Sequence, residues 1–180
     1  MDKVVEHLVK ILASNTRLYV AKYPTGLNEK VKDLETVLRQ EHTEKVQVVG
    51  IVGLGGVGKT TLALEFFNRK RSEYSNFHFL YDVRENAKSS LHLLQLQRDL
   101  LKGLTRSDQR IDNIHQGTQM IEEFLSSSRV LLILDDVDHE EQVDRLLRDR
   151  DVYCSNSLIL ITSRDRDVLR KVRSGRGIHL

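Results

Sequence analysis

The stretch GLGGVGKTT, Gly53 to Thr61, constrains this chain more than any other part of its sequence. It follows the apolar run KVQVVGIV and precedes TLALEFFNRK, which has helical character. A glycine-rich turn between a buried strand and a helix lets backbone N–H groups approach an anion closely, where a Cβ would collide. Two patterns fit. Gly53, Gly55 and Gly58 spell G-x-G-x-x-G, a dinucleotide fingerprint; Gly53, Gly58, Lys59 and Thr60 spell G-x-x-x-x-G-K-[ST], a P-loop.

The rest of the chain separates the two. FHFLYDV (Phe77 to Val83), RVLLILDDV (Arg129 to Val137) and NSLILITSRD (from Asn156) read as further apolar strands, and the terminal GIHL as one more, cut short. Helical patterns fall between them: SLHLLQLQRDLLKGL from Ser90, capped by serine and stopped near Gly103; Gln116 to Leu125; and EEQVDRLLRD. Strands that alternate with helices and are apolar throughout predict an α/β fold. The expected form is a three-layer α/β/α sandwich around a mostly parallel sheet. Ligands in such folds sit at the carboxyl ends of the strands. Gly53–Thr61, Asp135–Asp136 and Thr162–Arg164 all fall at such ends.

A dinucleotide site needs an acidic residue about 20 positions on, at the end of the second strand. RSEYSN occupies that distance, before the strand, and Asp82 comes late. That reading also leaves Lys59 and Thr60 without a task. The P-loop reading employs each residue. The backbone of Gly53, Gly55, Gly56, Val57 and Gly58 wraps phosphate, and the following helix points its N-terminus at it. Lys59 brings a mobile charge to the β- and γ-phosphates, Thr60 offers a hydroxyl to Mg²⁺, and Thr61 is placed for the α-phosphate. The Mg²⁺ shell needs an Asp at the end of a neighbouring apolar strand, and Asp135 in VLLILDD supplies it.

Asp136 is placed to orient or deprotonate a water attacking the γ-phosphate. Its plainer reading is a helix N-cap or a solvated carboxylate. Arg164 suits contact with the γ-phosphate, since a guanidinium stays charged and binds bidentately. Its plainer reading is a solvated surface arginine.

Composition limits the alternatives. A length of 180 residues suits one domain, and a net charge of +2 gives no electrostatic case for nucleic acid or an anionic membrane. Lone Cys154 excludes an internal disulfide, and the histidines lack metal-ligand spacing. No apolar run is long enough to span a membrane. MDKVVEHLVKIL is a poor signal peptide, and its apolar positions within 3–12 share a helical face. A second helix is expected from Val31 (VKDLETVLRQ) after a linker containing Pro24 and Gly26. No N-K-x-D reads guanine, and nothing identifies a kinase acceptor site.

Taken in order, GLGGVGKTT, FLYDVREN, VLLILDDVD and LILITSRD resemble the NB-ARC nucleotide-binding domain of plant disease-resistance receptors. LYVAKYPTGLNEKVKDLETVL resembles the linker that joins a TIR domain to NB-ARC. Asp138 and VREN are similar to the TIR-bearing class. The resemblance implies domains at 1–44, a helical linker, and 45–180, the NB subdomain. It implies a STAND-class switch held at rest by ADP and opened by exchange for ATP, with hydrolysis slow enough only to reset it. Lys59, Thr60, Thr61 and Gly55–Gly58 fall on the family's P-loop, Asp135 on its Mg²⁺ aspartate, Asp136 on its catalytic acid and Arg164 on its γ-phosphate sensor. Backbone near Thr25, Gly26 and Leu27 falls on the segment against adenine. The resemblance further implies TIR, ARC and leucine-rich-repeat domains as partners, self-association on activation, and a cytoplasmic or also nuclear location. The GLPL and MHD motifs lie outside these 180 residues, so a fragment is expected. The other readings are a P-loop ATPase with appreciable turnover and a non-signalling remnant.

Overall fold

The computed structural model describes residue 18 and residues 26–40, 46–148, 152–172 and 178–179. The apolar stretch 3–12 and Thr25 lie outside these described residues. Helix α1 (Leu27–Gln40) leads into strand β1 (Gln47–Val52), the glycine loop and helix α2 (Lys59–Lys70). Then come β2 (Asn76–Leu80), the short α3 (Val83–Asn86), α4 (Ser90–Thr105) and α5 (Ile114–Ser127). Strand β3 (Val130–Val137), α6 (Glu140–Leu146), β4 (Leu158–Ser163), α7 (Arg166–Val172) and β5 (Ile178–His179) complete the order.

The five strands form one sheet in the order β2-β3-β4-β1-β5, and every pairing is parallel. The pleat divides its side chains between two cores. Val130, Leu132 and Leu134 of β3 face one way, with Val48, Ile159 and Ile161, against α4, α5, α6 and α7. Leu131 and Ile133 face the other way, with Val49, Ile51 and Leu160, against α1 and α2. Period-two alternation on strands that are apolar on both faces is what a sheet covered on two sides requires. The three-layer α/β/α sandwich is thereby present.

Helix α1 begins four residues before the expected Val31, and its stripe Leu27, Val31, Leu34 and Leu38 is buried in the α2-side core. Each such side chain contributes about 1.5–3 kcal/mol through burial. This helix, which falls in the segment read as a linker, packs beside α2 in the second core.

Two local expectations are corrected, and one cap is assigned to its residue. Strand β2 stops at Leu80, because Asp82 takes a left-handed conformation (φ 48°) and starts α3. VREN is thus a helical turn, held by Glu85 and Asn86 N–H groups donating to the Asp82 carbonyl. The serine that caps α4 is Ser89, whose side chain accepts from the His92 N–H. Gly103 does not stop α4, which runs to Thr105 and ends at left-handed Arg106. A Cβ at Gly103 would lie 2.1 Å from His78 Nδ1, so this glycine lets the helix close on β2.

Candidate nucleotide site

The carboxyl ends of three strands lie level. Val52 is in register with Ser163 across β1 and β4, and Val137 with Ser163 across β3 and β4. The loop, Asp135–Asp136 and Thr162–Arg164 therefore meet at one edge of the sheet, as the sequence predicts. The strand bearing Asp135 is not the direct neighbour of β1, however: β4 lies between them. The gap is closed by side chains.

The loop is backbone-lined. Gly56 (φ 80°) and Gly58 (φ 94°) are left-handed, with open space where a Cβ would stand. Gly58 is the N-cap of α2 and supplies no side-chain cap, so the first-turn N–H groups of this 12-residue helix point into the loop uncapped. Lys59, only 6% exposed, donates from Nζ to the carbonyls of Gly53 (2.8 Å) and Leu54 (2.9 Å). An ammonium has three donors, so one remains for an anion. Burial lowers the Lys59 pKa and Arg164 pushes it the same way, while Asp136 and Asp135 oppose them.

Asp135 is the buried counterpart of the loop. Its carboxylate accepts from the Thr60 hydroxyl (2.9 and 3.1 Å) and from the Thr162 hydroxyl (2.7 Å). Thr60 bridges from α2 and Thr162 from the intervening β4. Burial raises the Asp135 pKa, and Asp82 and Asp136 add to the rise; the two threonine hydrogen bonds counter it.

Asp136 is left-handed (φ 54°), and the β3–β4 register shifts between Leu134 and Val137. In a regular strand, successive side chains point to opposite faces. The irregular backbone instead sets both carboxylates at the same edge, with the Asp136 N–H donating to Thr162 Oγ1 (2.8 Å). The Asp136 carboxylate pairs with Arg164 Nε at 3.2 Å and Arg84 Nε at 3.0 Å. It is not the N-cap of the next helix. His139 holds that position, with its N–H donating to Gln142 Oε1, and Asp138 accepts from the Gln142 amide. Arg164 lies against the loop, with its Nη1 3.6 Å from where a Gly55 Cβ would stand. It is tied into the site and is not a freely solvated arginine.

Arg84 is the residue that sequence reasoning missed. It sits just beyond the carboxyl end of β2, where open α/β folds collect functional side chains. Leu27 buries its side chain in the core, so only its backbone can face a ligand. A groove of about 1070 Å³ also has Arg84 in its lining, where Arg84, Lys88 and Arg145 are matched by Glu85, Asp138 and Glu141. That balanced lining carries no excess of positive charge, whereas the loop offers uncapped helix N–H groups and the Lys59 ammonium.

Residues 27–179 match the family described as the NB-ARC domain. Disease resistance protein RUN1 of Vitis rotundifolia is 37% identical over 147 residues, covering 80% of this chain and 11% of that protein. TMV resistance protein N of Nicotiana glutinosa is 33% identical over 178 residues, covering 95% of this chain and 15% of that protein. The chain thus spans a small part of these relatives. Among solved structures, Cdc6p from Pyrobaculum aerophilum superposes with a TM-score of 0.62 at 15% identity, covering 93% of this chain and 48% of that one. The ORC2 protein of Aeropyrum pernix, solved as ADPNP–ADP complexes, gives 0.51 at 17% identity, with 93% and 50% covered. At such identities these two speak for the fold alone. The glycine loop, the buried aspartate and the sequence match over residues 27–179 converge: this chain belongs to the NB-ARC domain family.

Proposed function

We propose that this chain binds ADP or ATP in the Gly53–Thr61 loop and serves as the nucleotide-dependent switch module of a plant immune receptor, with at most slow hydrolysis. The observation that carries the reading is the pairing of an uncapped, glycine-built helix N-terminus with Lys59 at its mouth and Thr60 hydrogen-bonded to buried Asp135. Backbone N–H groups from Gly55 to Thr61 receive the phosphates, and the spare Lys59 donor supplies charge. The Thr60 hydroxyl and Asp135 carboxylate would hold Mg²⁺. One hydroxyl and one carboxylate suit an ion that keeps most of its water and takes phosphate oxygens for the rest. When bound, that ion neutralises phosphate charge. Backbone at Gly26–Leu27, together with Thr25, is assigned to the adenine.

Slow turnover is favoured over an efficient ATPase by the state of Asp136. The Asp136 carboxylate has one oxygen on Arg84 and the other on Arg164, so both are occupied by ion pairs and neither is free to orient a water. Arg164, paired with Asp136 beside the loop, is assigned to sense the γ-phosphate. In the intact receptor the module would work with TIR, ARC and leucine-rich-repeat domains and self-associate on activation, in the cytoplasm or nucleus. Among the described residues no helix is long and apolar enough to cross a membrane.

The test is the nucleotide carried by the purified chain, released by denaturation and identified by chromatography, alongside Lys59→Ala. Bound ADP that disappears in the variant supports the reading. A chain that carries no nucleotide, and binds added ADP or ATP no better than the variant does, refutes it.

A further inference from the structure

The Asp136 carboxylate offers one oxygen to each of two guanidiniums. Oδ2 faces Arg84 Nε at 3.0 Å, and Oδ1 faces Arg164 Nε at 3.2 Å. The Asp136 backbone N–H donates to the hydroxyl of buried Thr162, which anchors the main chain from which the carboxylate reaches both arginines. The arginines differ in what else they reach. Arg164 is half exposed and borders Gly55 of the loop. Arg84 approaches from α3, with its Nε buried and 3.6 Å from Glu85 Oε1. Arg164 therefore divides its donors between two places, with Nε on the Asp136 carboxylate and Nη1 toward the loop where a terminal phosphate would lie, and a firm hold on Nε limits how far the guanidinium can turn to that phosphate. A carboxylate already neutralised by one cation attracts a second less strongly. Arg84 thus sets how firmly Asp136 holds Arg164.

We propose that Arg84 is a specificity-determining residue for the number of phosphates on the nucleotide, acting through Asp136 by weakening its hold on Arg164. The proposal rests on the nucleotide reading above. Arg84 itself need touch no nucleotide; it works as a positioning residue at one remove.

The experiment measures the affinities of the 180-residue chain for ADP and for the slowly hydrolysed analogue ATPγS, with Mg²⁺, by calorimetry. The readout is their ratio. In Arg84→Gln, Asp136 keeps Arg164 to itself, and the preference for the triphosphate falls roughly three- to fivefold, the range of a partly exposed charge pair. In Asp136→Asn, Arg164 is released and the preference rises. The double variant matches Asp136→Asn alone, because Arg84 has lost the group it acts through. Arg84→Lys, which keeps the charge, restores at least half of the lost preference. Circular dichroism confirms that each variant is folded, and the lysine variant provides the comparison if the glutamine variant is not.

Equal weakening of both nucleotides in Arg84→Gln would overturn the proposal, since a merely structural arginine acts that way. So would an Arg84→Gln effect that persists in the Asp136→Asn background. A wild-type chain that binds neither nucleotide would overturn the nucleotide reading and this proposal together. A wild-type chain that binds both, with a ratio unmoved by Arg84→Gln, overturns this proposal alone.

Discussion

The two walls of the site are made in opposite ways. The loop wall is bare: Gly55 to Gly58 are exposed, and Leu54 projects 78% exposed into solvent. The wall made by the tips of β3 and β4 is closed, with Asp135, Thr162 and Ser163 each 1% exposed or less; the Thr162 hydroxyl donates to Asp135 and the Ser163 hydroxyl to the Val137 carbonyl. Under the nucleotide reading proposed above, the difference follows from what each wall would hold. A phosphate is met by many backbone N–H groups at once, which requires a chain without side chains in the way. A carboxylate kept ready for a cation must be aimed in advance, and in a buried setting it needs donors to remain ionised. One wall is specified by what is absent, the other by what is satisfied.

The closed wall should fail first as structure. Thr162→Val removes the donor to Asp135 and the acceptor for the Asp136 N–H, leaving two buried polar groups short of partners. Chemical denaturation should show a loss of about 3 kcal/mol. A loss near zero would mean that the wall is not held as described. The open wall should fail as function. Lys59→Ala should weaken ADP binding by roughly 10- to 100-fold, the worth of charge-assisted hydrogen bonds, with stability nearly unchanged. A variant that instead melts much earlier would show the lysine to be a structural strut of the loop.

Away from both walls, His78 offers a control on acid sensitivity. Burial, helped by Arg106, lowers its pKa from 6.5 to about 4. The neutral form is thus favoured in the folded chain, and the unfolded chain binds the proton first. Stability should fall as pH drops from about 6.5 toward 4, by up to about 2 kcal/mol given the ring's partial exposure. His78→Phe should flatten that limb in denaturation curves taken across the window.

Asp135 has the opposite sign and the smallest effect. Its raised pKa means that the folded chain favours the proton, so Asp135 destabilises at neutral pH and the penalty fades on acidification. Asp135→Asn should therefore be slightly more stable than wild type at pH 7, by less than about 1 kcal/mol, with the advantage shrinking at lower pH. The same variant should lose the tightening of nucleotide binding by Mg²⁺. A marked destabilisation at neutral pH would show that the charge itself holds the closed wall together.

Much of this was legible in the residues because the relevant signals are local. GLGGVGKTT names its own backbone geometry, since glycine alone takes Gly56 and Gly58 into the left-handed region without strain. The doubly apolar strands announce a covered parallel sheet through the period-two pleat. Strand-end positions then gather Lys59, Thr60, Asp135, Asp136 and Arg164 at one edge. Boundaries were less legible where a neighbour overrode local preference: Gly103 reads as a helix stop, yet it sits inside α4 because His78 needs the space.

Fold class, the glycine loop and family membership were all readable from the residues alone. Each is written in contiguous residues whose backbone preferences act over a few positions. Folding alone put β4 between the loop strand and the aspartate strand, with Thr162 bridging the gap. It alone also decided that left-handed Asp136 turns toward Arg84 and Arg164, 52 and 28 positions away in the chain. Strand order and cross-strand pairing are set by the packing of whole faces against one another, and no local run of residues encodes which distant side chain will arrive at the same edge.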